Sequence, residues 1–181
     1  MVRLISFADL VETRWVNGAG RKADIAVGPG WTLAFAWLDG PAAFSDYSGF
    51  NRTITLMEGD GFVLEGADHA LTVAKIGEPA SFDGRWKVAC RLLGGPCFVL
   101  NAYSAQRRWR QTVRVVAPRD AGPIWAGDFV VVLRGQVSVD GVAGGPRDCL
   151  CVTEPATASG SADALVAIAR FDEVLFGSTG G

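Results

Sequence analysis

The residues of this chain that could bind a ligand or take part in catalysis are concentrated in three short stretches. The first stretch, residues 14–22, places Trp15 and Asn17 beside Gly18 and carries basic side chains at both ends. Glycine lets a backbone approach a ligand closely, and the Asn amide both donates and accepts hydrogen bonds. Because Asn-Gly is also typical of a plain turn, this stretch alone is a weak indication of a site.

The second stretch, residues 37–52, combines aromatic side chains with a few polar ones. It contains Trp37, Phe44 and Ser45 and ends at Arg52. Aromatic walls with a small number of convergent polar groups are typical of small-ligand pockets. Arg52 opens an apolar strand, so its guanidinium group either points into a cavity or extends past the strand end into water. The sequence leaves both alternatives open.

The third stretch, residues 93–101, ends on an asparagine that follows an apolar run. A Gly-Gly-Pro turn begins it, and four apolar residues then lead to Asn101. A buried Asn side chain must form hydrogen bonds, so Asn101 either ties down a loop or contacts a ligand. From the three stretches we predict one ligand-binding site, formed by Trp15, Asn17, Gly18, Trp37, Phe44, Ser45, Arg52 and Asn101.

Histidine and cysteine are too few, and too poorly spaced, for the common metal and nucleophile sites. His69 is the single histidine and lies in a polar, turn-like segment that indicates a surface loop. The four cysteines form no Cys-x-x-Cys pair, and the segment around Cys149 and Cys151 is typical of a strand. A multi-histidine metal site is excluded within one chain, and so is a Ser-His-Asp triad without His69. We predict no metal, no cofactor and no catalytic residue.

Charge is unevenly distributed along a chain whose formal net charge is −2. The segment 85–119, the basic band, holds eight basic residues and no acidic one. A basic band favours anion recognition, although opposite charges on neighbouring surfaces explain the asymmetry equally well. The net negative charge, and the lack of a known nucleic-acid module around Trp109, argue against nucleic acid as a partner.

Composition indicates a globular protein outside the membrane. Hydrophobic residues make up 49% of the chain, enough for a sizeable core. No apolar run of about 18 residues is present, so we expect no membrane span. Residues 1–10 lack the basic-then-apolar pattern of a signal peptide, and we therefore expect a cytoplasmic protein.

Short apolar runs separated by turn residues predict an all-β fold. The runs lie at 31–38, 53–57, 62–64, 70–76, 113–116 and 129–133. Their spacing of roughly 8–12 residues is typical of a sandwich or barrel. The 23 glycines fit many tight turns. The segment Ser161–Val174 fits either an amphipathic helix or a buried strand.

A weak internal repeat with an offset of 76 residues predicts a duplicated fold. The segments 53–59 and 130–135 resemble each other, and each is followed by a second strand-like run and a Gly turn. The Glu-Pro-Ala sequence at 78–80 recurs at 154–156 with the same offset. We therefore predict two β-rolls packed as one compact unit, with a first module at residues 1–111 and a shorter second module at 112–181.

Taken together, the three stretches resemble the HutD/Ves family. The matching motifs are Trp15-x-Asn17-Gly18-x-Gly20, Phe44-Ser45, Gly49-x-x-Arg52, Leu56-x-x-Gly59-x-Gly61-x-x-Leu64, Phe82-x-Gly84 and Gly95-Pro96 with Asn101. The resemblance covers residues 14–101 and continues more weakly to the end. The family usually has an acidic residue before its arginine, where this chain has Asn51.

The resemblance implies a fold and a range of functions. The fold is a cupin-like double-stranded β-helix, or jelly roll, of the RmlC type, with two β-roll modules in one chain, a bicupin. The resemblance also implies a cytoplasmic bacterial protein. HutD-type members are associated with histidine utilisation, where regulation through binding of an intermediate has been proposed. Ves-type members are associated with stress and cold response, and no enzymatic activity is established for the family.

We expect a metal-free cupin-like protein that binds a small anionic or amide-bearing metabolite. Arg52 would hold a carboxylate, while Asn17 and Ser45 would orient polar atoms. One alternative is a protein-interaction or self-association module, in which the basic band and Trp109 contact an acidic partner or a second copy of the chain in a homodimer. Another is a metal-free isomerase or hydrolase, although binding is favoured over catalysis.

Overall fold

The computed structural model of the protein describes residues 1–15, 18 and 20–174, and strands dominate this part of the chain. Two short 3-10 turns, Phe7–Asp9 and Pro118–Asp120, accompany them, and neither is long or apolar enough to cross a membrane. The strands are β1 (Val2–Ile5), β2 (Glu12–Arg14), β3 (Arg21–Gly28), β4 (Trp31–Leu38), β5 (Ala42–Ala43), β6 (Phe50–Glu58), β7 (Phe62–Glu65), β8 (Ala70–Val73), β9 (Pro79–Asp83), β10 (Ala89–Leu92), β11 (Cys97–Ala105), β12 (Trp109–Val116), β13 (Phe129–Arg134), β14 (Val137–Val139), β15 (Val142–Gly144), β16 (Cys149–Val152), β17 (Ala158–Gly160) and β18 (Leu165–Glu173).

Four antiparallel sheets form two rolls. In the first roll, a six-stranded sheet with the order β2-β3-β4-β11-β6-β9 faces a four-stranded sheet with the order β5-β10-β7-β8. In the second roll, a five-stranded sheet, β1-β16-β13-β18-β12, faces a three-stranded sheet, β15-β14-β17. Each roll encloses a hydrophobic core, one around Leu56 and Phe62 and the other around Val130 and Leu150.

A third core layer joins the two rolls. It contains Phe35 and Leu100 from the six-stranded sheet and Val131 and Ala167 from the five-stranded sheet. The larger sheet of each roll is therefore buried on both faces, which explains why β4 and β13 are apolar along their whole length rather than alternating. The two rolls pack through their large sheets into one unit.

Strand order and local irregularities confirm the bicupin fold and show how closely the two rolls correspond. The order β4-β11-β6-β9 in one large sheet matches β12-β18-β13-β16 in the other, and β10-β7-β8 matches β17-β14-β15. The pairing shifts by one residue at Met57 in the first roll and at Leu133 in the second, again 76 positions apart. The turn glycines that follow, Gly59 and Gly135, both have positive φ, at 104° and 77°.

Most predicted runs coincide with strands, and the ambiguous run near the C-terminus is resolved. Segments 31–38 and 149–152 match β4 and β16, and the segment that also fitted a helix is β18. The module boundary between residues 111 and 112 stays a prediction, but the sheets do not divide there. Strand β1 pairs with β16 of the second roll, and β12 of the same sheet begins at Trp109.

Candidate functional site

A small cavity lies in the first roll, beside strands β3, β4, β6 and β11 and under the loop that follows β5. Its volume is about 370 Å³ with the mouth included, but the space open to the centre of a water-sized molecule is only about 30 Å³. Its lining consists of Trp15, Lys22, Ala34, Phe35, Ala36, Phe44, Ser45, Tyr47, Arg52, Asn101 and Tyr103. This Arg52 cavity holds aromatic, amide, hydroxyl and cationic groups, and no Asp, Glu or His is among the described lining residues.

Arg52 is buried in the wall of this cavity. It lies in β6 between Tyr103 of β11 and Phe82 of β9, and only 5% of its surface is exposed. The guanidinium carbon lies 5.0 Å from the ring centre of Phe44, 4.9 Å from that of Tyr47 and 5.1 Å from that of Phe82. Three aromatic rings therefore replace the water that would otherwise solvate this cation. The attraction between the cation and the ring faces compensates only part of the lost hydration.

The charge of Arg52 has no acidic partner within the described part of the chain. Its Nη2 donates one long hydrogen bond, 3.4 Å, to Oδ1 of Asn101, and its Nε is buried with no partner there. Burial lowers the pKa of Arg52 to about 10, although Tyr47 and Tyr103 oppose the shift. The site thus keeps a dehydrated cation that is incompletely hydrogen-bonded.

The other polar groups of the cavity do not neutralise Arg52. Lys22 is paired already, since its Nζ lies 2.7 Å from Oδ1 of Asp24. Tyr47 and Tyr103 pack with ring centres 4.8 Å apart, and burial together with the neighbouring Tyr103 raises the pKa of Tyr47. A tyrosine with a raised pKa stays neutral near pH 7, so its hydroxyl adds a hydrogen-bonding group and no charge.

Close backbone contacts hold the loop that carries Phe44 and Tyr47. The Tyr47 amide donates to Gly84 O at 3.1 Å, and the Gly84 amide donates to Phe50 O at 2.8 Å. A Cβ atom on Gly84 would collide with the carbonyl groups of Tyr47 and Phe50, so only glycine fits there. On the other side, Trp15 packs edge-on against Phe44 with ring centres 5.6 Å apart. The aromatic wall is therefore fixed from both ends.

Comparison with known proteins decides the family. The sequence profile of the HutD family matches residues 7–169. The chain belongs to the HutD family. An uncharacterised 21.2 kDa protein from the region 3′ of hutC in Pseudomonas putida is 29% identical over 60% of this chain and 61% of its own length. Protein Ves of Citrobacter koseri is 33% identical over 56% of each chain, so the matched part spans less than two thirds of both curated relatives.

The fold of a HutD-family member has been solved in a form close to this one. HutD from Pseudomonas fluorescens superposes with a TM-score of 0.81 at 23% identity, and the match covers 97% of this chain and 100% of that one. At this identity the likeness establishes the fold and does not transfer residue roles. The bicupin architecture is thus common to the two chains.

The structure brings together five of the eight site residues predicted from the sequence. The residues that line the Arg52 cavity are Trp15, Phe44, Ser45, Arg52 and Asn101. Gly18 is exposed and is not part of the lining, while its amide donates to Trp15 O in a turn. Asn17 lies outside the described residues.

Trp37 does not lie with the others. Ala34, Phe35 and Ala36 of the same strand line the cavity, but Trp37 is not part of the lining, and by alternation its side chain lies on the face opposite that of the two alanines. There it packs against Phe7 and Phe98 in the layer between the rolls. Because both faces of β4 are buried, apolar character alone does not show which face borders a cavity.

The sequence prediction did not include six lining residues, namely Lys22, Tyr47, Tyr103, Phe35 and the two alanines of β4. Tyr47 belongs to the aromatic stretch that was singled out, so its position was a usable signal. Tyr103 lies two residues after Asn101 in β11, on the same face by alternation, and is paired directly with Arg52. The alanines matter because they are small, and their short side chains leave the space that forms the cavity.

The remaining sequence predictions concern the surface of this HutD-family protein. His69 is exposed in the loop between β7 and β8 and stacks on Trp86 with ring centres 4.2 Å apart. Trp109 is only half-exposed, and its Nε1 donates to Pro29 O at 2.8 Å, so it is part of the packing. No group of three or more His, Cys, Asp or Glu within residues 1–15, 18 and 20–174 is placed to hold a metal ion.

Half of the basic band is paired with acidic side chains from outside it. Ion pairs join Arg85 to Asp83, Arg91 to Glu65, Arg108 to Glu173 and Arg119 to Asp120. Half of the eight basic residues of the band are therefore paired. This supports opposite charges on neighbouring surfaces as the main reason for the charge asymmetry.

Proposed function

We propose that this HutD-family bicupin binds a small carboxylate-bearing metabolite in the Arg52 cavity. The observation that supports this most directly is Arg52 itself, a buried cation that forms no ion pair with a described acidic residue. Buried charges in proteins are normally paired, because removing an unpaired charge from water is costly. A carboxylate from outside the chain would supply the missing partner.

The geometry favours a carboxylate over other anions and determines how far the ligand enters the cavity. A guanidinium group matches a carboxylate in a planar, two-point contact, and Asn101 holds one edge of the Arg52 fork. The closed space of about 30 Å³ corresponds to roughly two water molecules, which is the size of a carboxylate group. The carboxylate enters, and the rest of the metabolite lies toward the aromatic mouth formed by Trp15 and Phe44.

The lining favours binding over acid–base catalysis. The titratable groups among the described lining residues are Lys22, Tyr47, Arg52 and Tyr103, and Lys22 is already paired with Asp24. A general acid or base works best with a pKa near the working pH, which the raised pKa of Tyr47 and the pKa of about 10 of Arg52 do not provide. A regulatory protein of histidine utilisation, whose intermediates carry carboxylates, fits both this chemistry and the family.

Thermal unfolding with a panel of carboxylates tests the proposal. The panel contains formate, acetate and the carboxylated intermediates of histidine degradation. A ligand at 100 times its Kd stabilises the native state by about 2.7 kcal/mol, which raises the Tm of a chain of this size by several degrees. We expect this shift in the unmodified protein and its loss in Arg52→Met.

Arg107→Met is the matched control, because Arg107 is an exposed arginine that is not part of the cavity lining. It should keep the full ligand-induced shift. An Arg52→Met protein that responds to the panel as strongly as Arg107→Met would overturn the proposal. A folded protein that responds to no member of the panel would also count against it.

A further inference from the structure

The second roll has its own polar hollow, at the position that corresponds to the Arg52 cavity. Its volume is about 600 Å³ with the mouth included, against about 370 Å³ for the Arg52 cavity, and it is more open than that cavity. Its polar and aromatic lining consists of Thr112, Arg114, Trp125, Asp128, Arg170 and Asp172. Nothing described above involves this second-roll hollow.

The internal duplication relates the two sites residue by residue. Arg52 and Asp128 are 76 positions apart, the same offset as Gly59 and Gly135. Ile54 pairs with Asn101 in the first roll, and Val130 pairs with Ile168 in the second. The pairing therefore sets Asp128 beside Arg170, as it sets Arg52 beside Tyr103. The hollow therefore occupies the same place in the second roll as the Arg52 cavity occupies in the first.

An internal ion pair organises the hollow and uses up its buried carboxylate. Asp128 is 2% exposed; its Oδ1 accepts a 2.7 Å bond from Arg170 Nε, and its Oδ2 accepts a 2.7 Å bond from the Trp125 amide. Both oxygens are thus engaged. Arg170 Nη2 remains buried without a partner among the described residues. The pair fixes the backbone of Trp125 and leaves one donor of Arg170 unused.

Cationic groups outnumber the anionic groups on this face. Arg114 donates to Ala121 O at 2.7 Å and has no described acidic partner. Arg110 lies four residues before Arg114 on the same strand face, opposite Asp172 in the register, and it too forms no described ion pair. With Asp128 saturated by Arg170 and Trp125, Asp172 is the remaining carboxylate against Arg110 and Arg114. The face therefore suits a small anion.

Trp125 indicates what kind of group would accompany the anion in a ligand. Its side chain is 51% exposed, although aromatic rings of this size are usually more buried. An exposed indole beside arginines can stack on a planar ring while the arginines hold an attached oxyanion. We propose that the second-roll hollow binds a small planar oxyanion, meaning a ring that carries a carboxylate or a phosphate group.

Nuclear magnetic resonance of the tryptophan indole N–H groups tests this at one residue. The Trp125 signal is assigned by its disappearance in Trp125→Phe. Benzoate and phenyl phosphate are the probes, and both are titrated into Arg52→Met so that the first cavity does not contribute. Sodium chloride at equal ionic strength serves as the blank. We expect a saturable shift of the Trp125 signal with at least one probe and none with the blank.

Arg114→Gln and Arg107→Gln, each in the Arg52→Met background, form the matched pair, since both arginines are exposed. The first should weaken binding about tenfold, as expected for loss of one charge-assisted hydrogen bond. The second should leave binding unchanged. The relative strength of the two probes distinguishes a carboxylate ligand from a phosphate ligand. An unshifted Trp125 signal, or equal binding by the two glutamine variants, would overturn the proposal.

Discussion

The two rolls place opposite charges at matching positions, and only one of these charges has an oppositely charged partner among the described residues. Arg52 and Asp128 are 5% and 2% exposed, respectively. Asp128 has Arg170 at 2.7 Å, whereas Arg52 has three rings and a 3.4 Å contact to Asn101. The same fold therefore gives the buried charge of the second roll an oppositely charged partner and gives the buried charge of the first roll none among the described residues. In the second roll the charge is neutralised by an internal ion pair, and in the first we propose that a ligand supplies the partner.

The cost of the unpaired cation supports this difference. Burial lowers the pKa of Arg52 from its ordinary value to about 10, and this shift corresponds to about 3 kcal/mol against the charged form in the folded protein. The cation–π contacts recover part of that cost. Strongly perturbed groups of this kind concentrate at functional sites, and an apolar residue of similar size would fill the same place more cheaply.

Removing the carboxylate of the internal pair should have the largest effect on stability. In Asp128→Asn, Arg170 loses its ion pair and the Trp125 amide loses a charged acceptor. Breaking a buried pair costs about 3–5 kcal/mol, and the partial exposure of Arg170 reduces this to about 2–3 kcal/mol. Urea unfolding monitored by circular dichroism measures the loss. Asp172→Asn, in an exposed position, should change the free energy of unfolding by less than about 0.5 kcal/mol.

Removing the charge at the corresponding position of the first roll should have the opposite sign. Arg52→Met replaces an unpaired buried cation with an apolar side chain of similar length. The ligand-free variant should unfold at an equal or higher urea concentration, with a gain of up to about 3 kcal/mol. A loss of more than about 1 kcal/mol would show instead that Arg52 is a structural residue, and the contrast between the rolls would disappear.

Ligand binding should weaken in alkaline solution because Arg52 must be charged. With a pKa of about 10 in the free protein, Arg52 is fully protonated at pH 7–9 and loses its proton above pH 10. We expect a nearly constant Kd from pH 7 to 9 and a rise of about fourfold by pH 10.5, measured by calorimetry. The sign for stability is the reverse. The unfolded chain binds this proton more tightly from about pH 10 up to the ordinary pKa of an arginine, so the contribution of Arg52 to stability rises with pH in that window.

Much of the fold was readable from the sequence, because turn glycines and short apolar runs are local features. The offset of 76 residues predicted the duplication, and the matching bulges at Met57 and Leu133 confirm it. The helix-or-strand ambiguity of β18 arose because a fully buried run has no informative period. Only the pairing with β13 and β12 settles it.

The site was predictable in part, for a related reason. Arg52 and Asn101 stand out as polar residues within apolar runs, so each signals its own importance. Tyr103 joins them through the register between β6 and β11, which links residues about 50 positions apart and leaves no local trace. Trp37 was misplaced because β4 is buried on both faces, so apolar residues at odd and even positions look alike.

The smallest expected change in stability comes from substitutions in β4, and they distinguish the two faces of that strand. Trp37→Phe alters the layer between the rolls, where Trp37 contacts Phe7 and Phe98, and should lower the free energy of unfolding by about 1 kcal/mol. Its ligand-induced Tm shift should remain that of the unmodified protein. Ala36→Val, on the opposite face, fills the narrow cavity and should abolish the shift at a similar cost in stability. If both variants kept the shift, the ligand would bind elsewhere than the Arg52 cavity, since a space this small cannot accept a carboxylate and two added methyl groups.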